Sequence, residues 1–158
     1  MPAMHSYVCC YLHCVFATAG RERFLQTDVQ QRLWPYLGGV ARENGMTAMS
    51  VGGVEDHVHI LLSLPSTVSI SRALQLLKGD SSKWIHETFA DRRKFAWQEG
   101  YGAFSIAVSG IEATRRYIAR QAEHHRRKSF REEMEEFLKK HGMKWTERDA
   151  VEEGASQG

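Results

Sequence analysis

The chain has 158 residues, 42% of them apolar and 25% charged, with a formal net charge of +2. That length supports one core but not comfortably two, the composition is ordinary for a soluble globular protein, and so small a net charge names no partner by itself. No apolar run approaches the roughly 20 residues of a membrane helix, and the opening MPAMHSYVCCYLH, with no basic segment before its apolar stretch, does not read as a signal peptide.

Residues 7–17, YVCCYLHCVFA, are rich in β-branched, aromatic and cysteine residues and read as a first strand. Cys9, Cys10 and Cys14 are odd in number, and the adjacent pair should face opposite ways, so reduced thiols in a cytoplasm are expected rather than a disulfide framework. After the GRERFLQ loop, Thr27 is expected to cap a helix, with Gln30 completing a capping box. Val29, Leu33, Leu37, Val40 and Ala41 form its buried stripe, and Asn44-Gly45 stops it. Pro35 conflicts with that helix, because an interior proline loses a backbone hydrogen bond and costs about 3 kcal/mol. A kink or a delayed start is expected there. MTAMSVGGV (46–54) reads as a second strand, loosened by Gly52-Gly53 and turned at Glu55-Asp56 into EDHVHILLSLP (55–65). Alternation in that third strand puts His57 and His59 on one face and Val58, Ile60, Leu62 and Leu64 on the other. Two convergent ring nitrogens on a rigid apolar support are half of a metal site.

STVSISRALQLLKGDSSKWIHETF (66–89) carries Ile70, Ala73, Leu74, Leu77, Trp84, Ile85 and Phe89 on one stripe, an amphipathic helix weakened at Gly79. An aromatic-rich loop, DRRKFAWQEGYG, leads to a fourth strand, AFSIAVSG (103–110). A helix from Ile111 to about His125 follows, then one from about Phe130 to Lys140 that ends at His141-Gly142. The final GASQG is expected to be disordered. The order β-α-β-β-α-β predicts an α+β, ferredoxin-like antiparallel sheet with additional C-terminal helices. A single domain over residues 1–145 and an acidic, disordered tail over 146–158 are expected. That plan hosts many functions and names none.

Tyr117 and Gln121 are spaced i, i+4 and share a helix face that can pack near the central strands. A phenol, an amide oxygen and two imidazoles would then meet beside RRYIARQAEHHRRK (115–128). There Arg115, Arg116, Arg120, Arg126, Arg127 and Lys128 stand against the single acid Glu123 and suit a phosphate backbone, a solvated helix face being the ordinary alternative. The set suits phosphodiester cleavage: a metal polarises the phosphate, and Tyr117 attacks as a phenolate once its pKa of about 10 is overcome. His124 and His125 rival Gln121 as a third ligand, since imidazole suits most transition metals better, whereas a hard ion such as magnesium accepts the amide oxygen. These two histidines are expected to be structural or near DNA. His13 has no second spaced ligand pair and is expected to be a satisfied sheet histidine. Trp97, Tyr101 and Phe104 are candidates for stacking unpaired bases, with core packing the alternative and the favoured one for Phe104.

GGVEDHVHILLSLP (52–65), LKGDSSKWIHE (77–87), WQEGYGAFSIAVS (97–109) and RRYIARQAEHHRRKSF (115–130) together resemble the single-strand tyrosine transposases of the HUH superfamily, named for His-hydrophobic-His. These include the IS200-like transposases of the smallest bacterial insertion sequences and their relatives, the REP-associated tyrosine transposases. The resemblance spans about residues 7–142. His-x-His alone is weak, but the motifs in combination are specific. The resemblance implies that His57, His59 and Gln121 ligate magnesium or manganese and that Tyr117 is the nucleophile. It further implies a DNA strand transferase that cuts single-stranded DNA near hairpins at element ends and leaves a 5′-phosphotyrosine and a free 3′-OH. A cytoplasmic homodimer with shared active sites goes with it. One departure is that ATAGRERFL, after the first strand, lacks the lysine-rich sequence of many relatives. A domesticated relative that nicks repeated palindromes, a hairpin-binding module that does not cut, and a phosphoesterase using activated water remain as alternative readings.

Overall fold

The computed structural model describes residues 5–125 and 127–144. β1 spans Tyr11–Ala17 and starts later than predicted, because its neighbours end there: Tyr11 pairs with Ser63 on one side and Ile106 on the other. α1 runs Thr27–Glu43 with Gln26 at its N-cap, so Thr27 is the first helical residue and not the cap. The Gln30 amide donates to the Leu25 carbonyl at 2.7 Å instead of closing a capping box. Pro35 sits inside a helix that neither breaks nor starts late. Burial explains this: Val29, Leu33, Leu37, Val40 and Ala41 are fully or almost fully buried on both sides of the proline. At about 1.5–3 kcal/mol for each large side chain, that stripe outweighs the roughly 3 kcal/mol penalty.

β2 (Thr47–Val54) and β3 (His57–Ser63) form the expected hairpin. α2 (Ile70–Thr88) is unbroken at Gly79 and is capped by Ser69, whose Oγ accepts from the Arg72 N–H at 3.1 Å. β4 is limited to Gly102–Ile106, because a single 3-10 turn at Val108–Gly110 takes the rest of the predicted strand. The predicted helix to His125 is broken. α3 covers Ile111–Ala119, Arg120 leaves helical geometry at φ −104° and ψ 20°, and α4 covers Gln121–His124. α5 spans Phe130–Lys140. The predicted disordered terminus lies outside the described residues.

The sheet order is β2-β3-β1-β4, antiparallel throughout. Each βαβ crossover is therefore split by a strand of the other: β1-α1-β2 by β3, and β3-α2-β4 by β1. The fold is α+β with three layers. Alternate residues Leu12, Cys14 and Phe16 of β1 and Val58, Ile60 and Leu62 of β3 join α1 and α2 in the main core. The opposite face carries Val15 and Phe104 against Met134, Phe130 and Phe137 of α5. His13, His57 and His59 lie on that second face.

Gly52 sets how closely α3 sits on the sheet. It pairs with His59, and a Cβ built there would lie 2.7 Å from the Ile118 carbonyl oxygen. Backbone cannot swing aside as a side-chain tip can, so Gly52→Ala is expected to destabilise the fold by about 1–3 kcal/mol. Chemical denaturation measures this, and an unchanged midpoint would show that α3 shifts without cost.

Candidate active site

β3 delivers His57 and His59 to one face of the sheet, both fully buried. Asp56, in the turn before them, accepts from His57 Nδ1–H at 2.7 Å. The His57 Nε2 faces Gln121 Oε1 at 3.3 Å and Glu133 Oε1 at 3.4 Å. His57 thus meets acceptors on both nitrogens. Burial would lower its pKa, but Asp56 and Glu133 overcome that and raise it. His59 donates from Nε2 to Glu133 Oε1 at 3.0 Å, and its Nδ1 lies 2.8 Å from His13 Nε2. Burial pushes His59 down to about 4 and His13 to about 3, so both rings are neutral at pH 7. With the His59 proton on Nε2, its Nδ1 accepts and His13 Nε2–H donates.

Glu133 is the hub of the cluster. Its Oε1 serves the two β3 histidines, while its Oε2 accepts from the Tyr117 hydroxyl and lies 3.2 Å from His125 Nε2. That His125 nitrogen is buried yet makes no aligned hydrogen bond. Burial alone would raise the Glu133 pKa, but the His125, His57 and His59 rings beside it hold it well below the carboxylate range. Burial, then the Glu133 carboxylate, push the Tyr117 phenol above its ordinary value. In this arrangement the hydroxyl keeps its proton. Tyr117 and Gln121 do face the histidines as the spacing predicts, but from separate helices, with the Gln121 amide donating to the Tyr117 carbonyl at 3.4 Å.

The ligand atoms of His57, His59, His125 and Glu133 all lie within 4.8 Å of one another. Three imidazoles and a carboxylate, with one buried nitrogen lacking an aligned partner, are a donor set that fits a divalent cation. His13 is a hydrogen-bonded sheet histidine as expected, but its partner is a candidate ligand. His125 stands in the cluster, and His124 lies against the Tyr117 ring at 4.5 Å. Sequence reasoning missed Glu133, because it lies in the acidic run REEMEEF. A signal was available: Phe130, Glu133, Met134 and Phe137 fall at i, i+3, i+4 and i+7, which puts Glu133 on the apolar face of α5. Asp56, by contrast, carries no sequence signal beyond its place in a turn.

Arg115, Arg116, Arg120 and Arg127 are exposed, Arg115 lying 3.7 Å from Glu112. Lys128 is half-buried and paired with Glu136, and Arg126 lies outside the described residues. Beside the cluster opens a cleft of about 470 Å³ whose lining includes Arg21, Arg23, Asp56, His125, Lys128 and Phe130. Trp97 packs on Phe16 and Phe95 and donates to Ser81 Oγ at 3.0 Å, so it belongs to the core. Phe104 is also buried, and of the three candidate stacking residues only Tyr101 is exposed.

The family described as Transposase IS200 like matches residues 6–121. The transposase for insertion sequence element IS200 from Salmonella typhimurium is 28% identical over 97 residues, an alignment covering 58% of this chain and 64% of that protein. The ISDra2 transposase TnpA of Deinococcus radiodurans is 26% identical over 85 residues, covering 54% and 61%. The chain thus spans just under two thirds of these relatives. Among solved structures, a candidate transposase from Deinococcus radiodurans R1 superposes with a TM-score of 0.63 at 24% identity, over 77% of this chain and 98% of that one. A REP-associated tyrosine transposase bound to a REP hairpin superposes with a TM-score of 0.58 at 16% identity, over 79% and 74%. At these identities the structural likeness is one of fold.

Proposed function

The chain belongs to the family of IS200-like transposases, and from that premise we propose that it cuts and rejoins single-stranded DNA through a covalent bond to Tyr117. The observation that carries this reading is the placement of the Tyr117 hydroxyl in one buried cluster with His57 and His59, joined to both by Glu133. His57, His59 and Gln121 would hold a magnesium or manganese ion. Bound there, such an ion would offset the charge developing on the scissile phosphate.

The chain's own residues do the rest. Asp56 fixes the proton of His57 on Nδ1 and turns Nε2 toward the cluster, the usual work of a carboxylate behind a ligating histidine. His59 offers an Nε2 lone pair only if its proton moves to Nδ1, and His13 accepts from that Nδ1–H once its own proton has moved from Nε2 to Nδ1. As the Tyr117 oxygen bonds to phosphorus, the bond to the 3′ oxygen breaks. The phenol proton leaves to water past the Glu133 carboxylate that accepts from it, and the departing 3′ oxygen takes a proton from water. Attack by a 3′-OH on the phosphotyrosine reverses these steps and rejoins the strand. Arg115, Arg116, Arg120, Arg127 and Lys128 would neutralise the phosphate backbone, Arg126 belonging to the same block.

A hairpin near an element end is the proposed DNA form, in keeping with the REP hairpin held by the related structure. A homodimer is the proposed assembly. Within one chain the Tyr117 and His59 rings already lie 5.7 Å apart, so a single subunit brings nucleophile and histidines together. Among the described residues no helix is long and apolar enough to cross a membrane.

The test mixes the purified full chain with a labelled single-stranded oligonucleotide carrying the element's end hairpin and flank, plus magnesium or manganese. An SDS-resistant adduct that vanishes with EDTA is expected. Cutting without an adduct would point to activated water, and tight binding without cutting to a hairpin-binding module.

A further inference from the structure

Two members of the cluster, His125 and Glu133, lie beyond the stretch that matches the family. Glu133 is the one that brings charge. A buried carboxylate is costly unless paired, and an apolar side chain of similar size often serves stability as well or better. On α5 the neighbouring Glu132, Glu135 and Glu136 stay exposed, while Glu133 is 3% exposed. Its burial therefore asks for a reason beyond folding.

The geometry supplies one. Glu133 Oε1 lies 3.0 Å from His59 Nε2 and 3.4 Å from His57 Nε2. Ligand atoms about 2.1 Å from one octahedral magnesium lie about 3 Å from their neighbours, so these spacings need little adjustment. Two imidazoles and an amide carry no charge to offset a divalent ion, whereas a hard anionic oxygen does. Two histidines and one carboxylate also form a recurrent open-sided triad for divalent metals. We propose that Glu133 is an anionic ligand of the metal through Oε1, while Oε2 keeps hold of the Tyr117 hydroxyl, so that α5 ties the nucleophile to the metal centre. This inference rests on reading the histidine cluster as a metal centre.

The test is calorimetric titration of Mn²⁺ into the full chain without DNA, for wild type, Glu133→Gln, His57→Ala and Tyr117→Phe. Glu133→Gln is expected to weaken Mn²⁺ binding at least tenfold, and Tyr117→Phe to leave it within twofold. If Glu133 only fills the place a metal would take, removing its charge leaves binding unchanged or tightens it, and the proposal is overturned. Thermal melting of the metal-free variants checks folding. Should Glu133→Gln not fold, Glu133→Met, of similar length and next to Met134, gives the same comparison. Weakened binding in His57→Ala with none in the Glu133 variant overturns this ligand alone. A wild-type chain that takes up no Mn²⁺ overturns the metal centre and this ligand together.

Discussion

Tyr117→Phe is expected to abolish the SDS-resistant adduct, lowering strand cleavage at least ~10³-fold, which is about 4 kcal/mol of transition-state stabilisation. The substitution changes little else. The aromatic ring keeps its place against Phe137 and His124, at 5.6 and 4.5 Å. Glu133 loses one donor but keeps His57 and His59 on its other oxygen. Loss of a single hydroxyl hydrogen bond from an acceptor so well supplied should cost about 1 kcal/mol, so the melting temperature should fall by only a few degrees. An inactive, folded variant separates nucleophile from scaffold. If the adduct persists in Tyr117→Phe, another side chain attacks. If cleavage persists at the wild-type rate without an adduct in either protein, water is the nucleophile.

His57→Ala should have the second large effect, on metal uptake and cleavage together. An imidazole that also anchors Asp56 is lost, Gln121 Oε1 loses its donor, and Glu133 loses one of several. Affinity for Mn²⁺ is expected to fall at least ~100-fold, beyond the 10–100-fold typical when only a residue behind a ligand is lost. Metal-free stability should also drop by about 1–3 kcal/mol, since buried acceptors are left unmade. The binding comparison therefore belongs at a temperature well below the variant's melting point. Unchanged Mn²⁺ affinity in a folded His57→Ala chain would remove His57 from the ligand set.

The parts that could be read from the sequence are those with strong local periodicity. Alternation along 57–62 separated His57 and His59 from Val58, Ile60 and Leu62, and the structure keeps that separation. The stripe of α2 was equally plain except at its first residue, Ile70, which is exposed, and its weak point at Gly79 is overridden by burial of Leu74, Leu77 and Ile85. What stayed hidden depends on partners distant in the chain. The start of β1 is set by where Ser63 and Ile106 stop offering hydrogen bonds, and the continuity of α1 through Pro35 is set by the sheet beneath it. Glu133 was obscured because a helix rich in glutamate looks solvated until its apolar face is aligned with Phe130 and Phe137. The pairing of Tyr117 with Gln121 was read correctly in direction. The break at Arg120 between them was not, because no glycine or proline marks it.

The two faces of β3 bear on how this chain tolerates change. Positions 58, 60 and 62 pack into the main core, while positions 57 and 59, though equally buried, face the candidate site. A library spread over this strand and scored once for solubility and once for cutting should therefore return a solubility map that touches all five positions and a cutting map whose losses beyond it fall at 57 and 59. Where the fold tolerates a change at 57 or 59, the protein would persist without the proposed activity, so persistence of the fold is no measure of that activity.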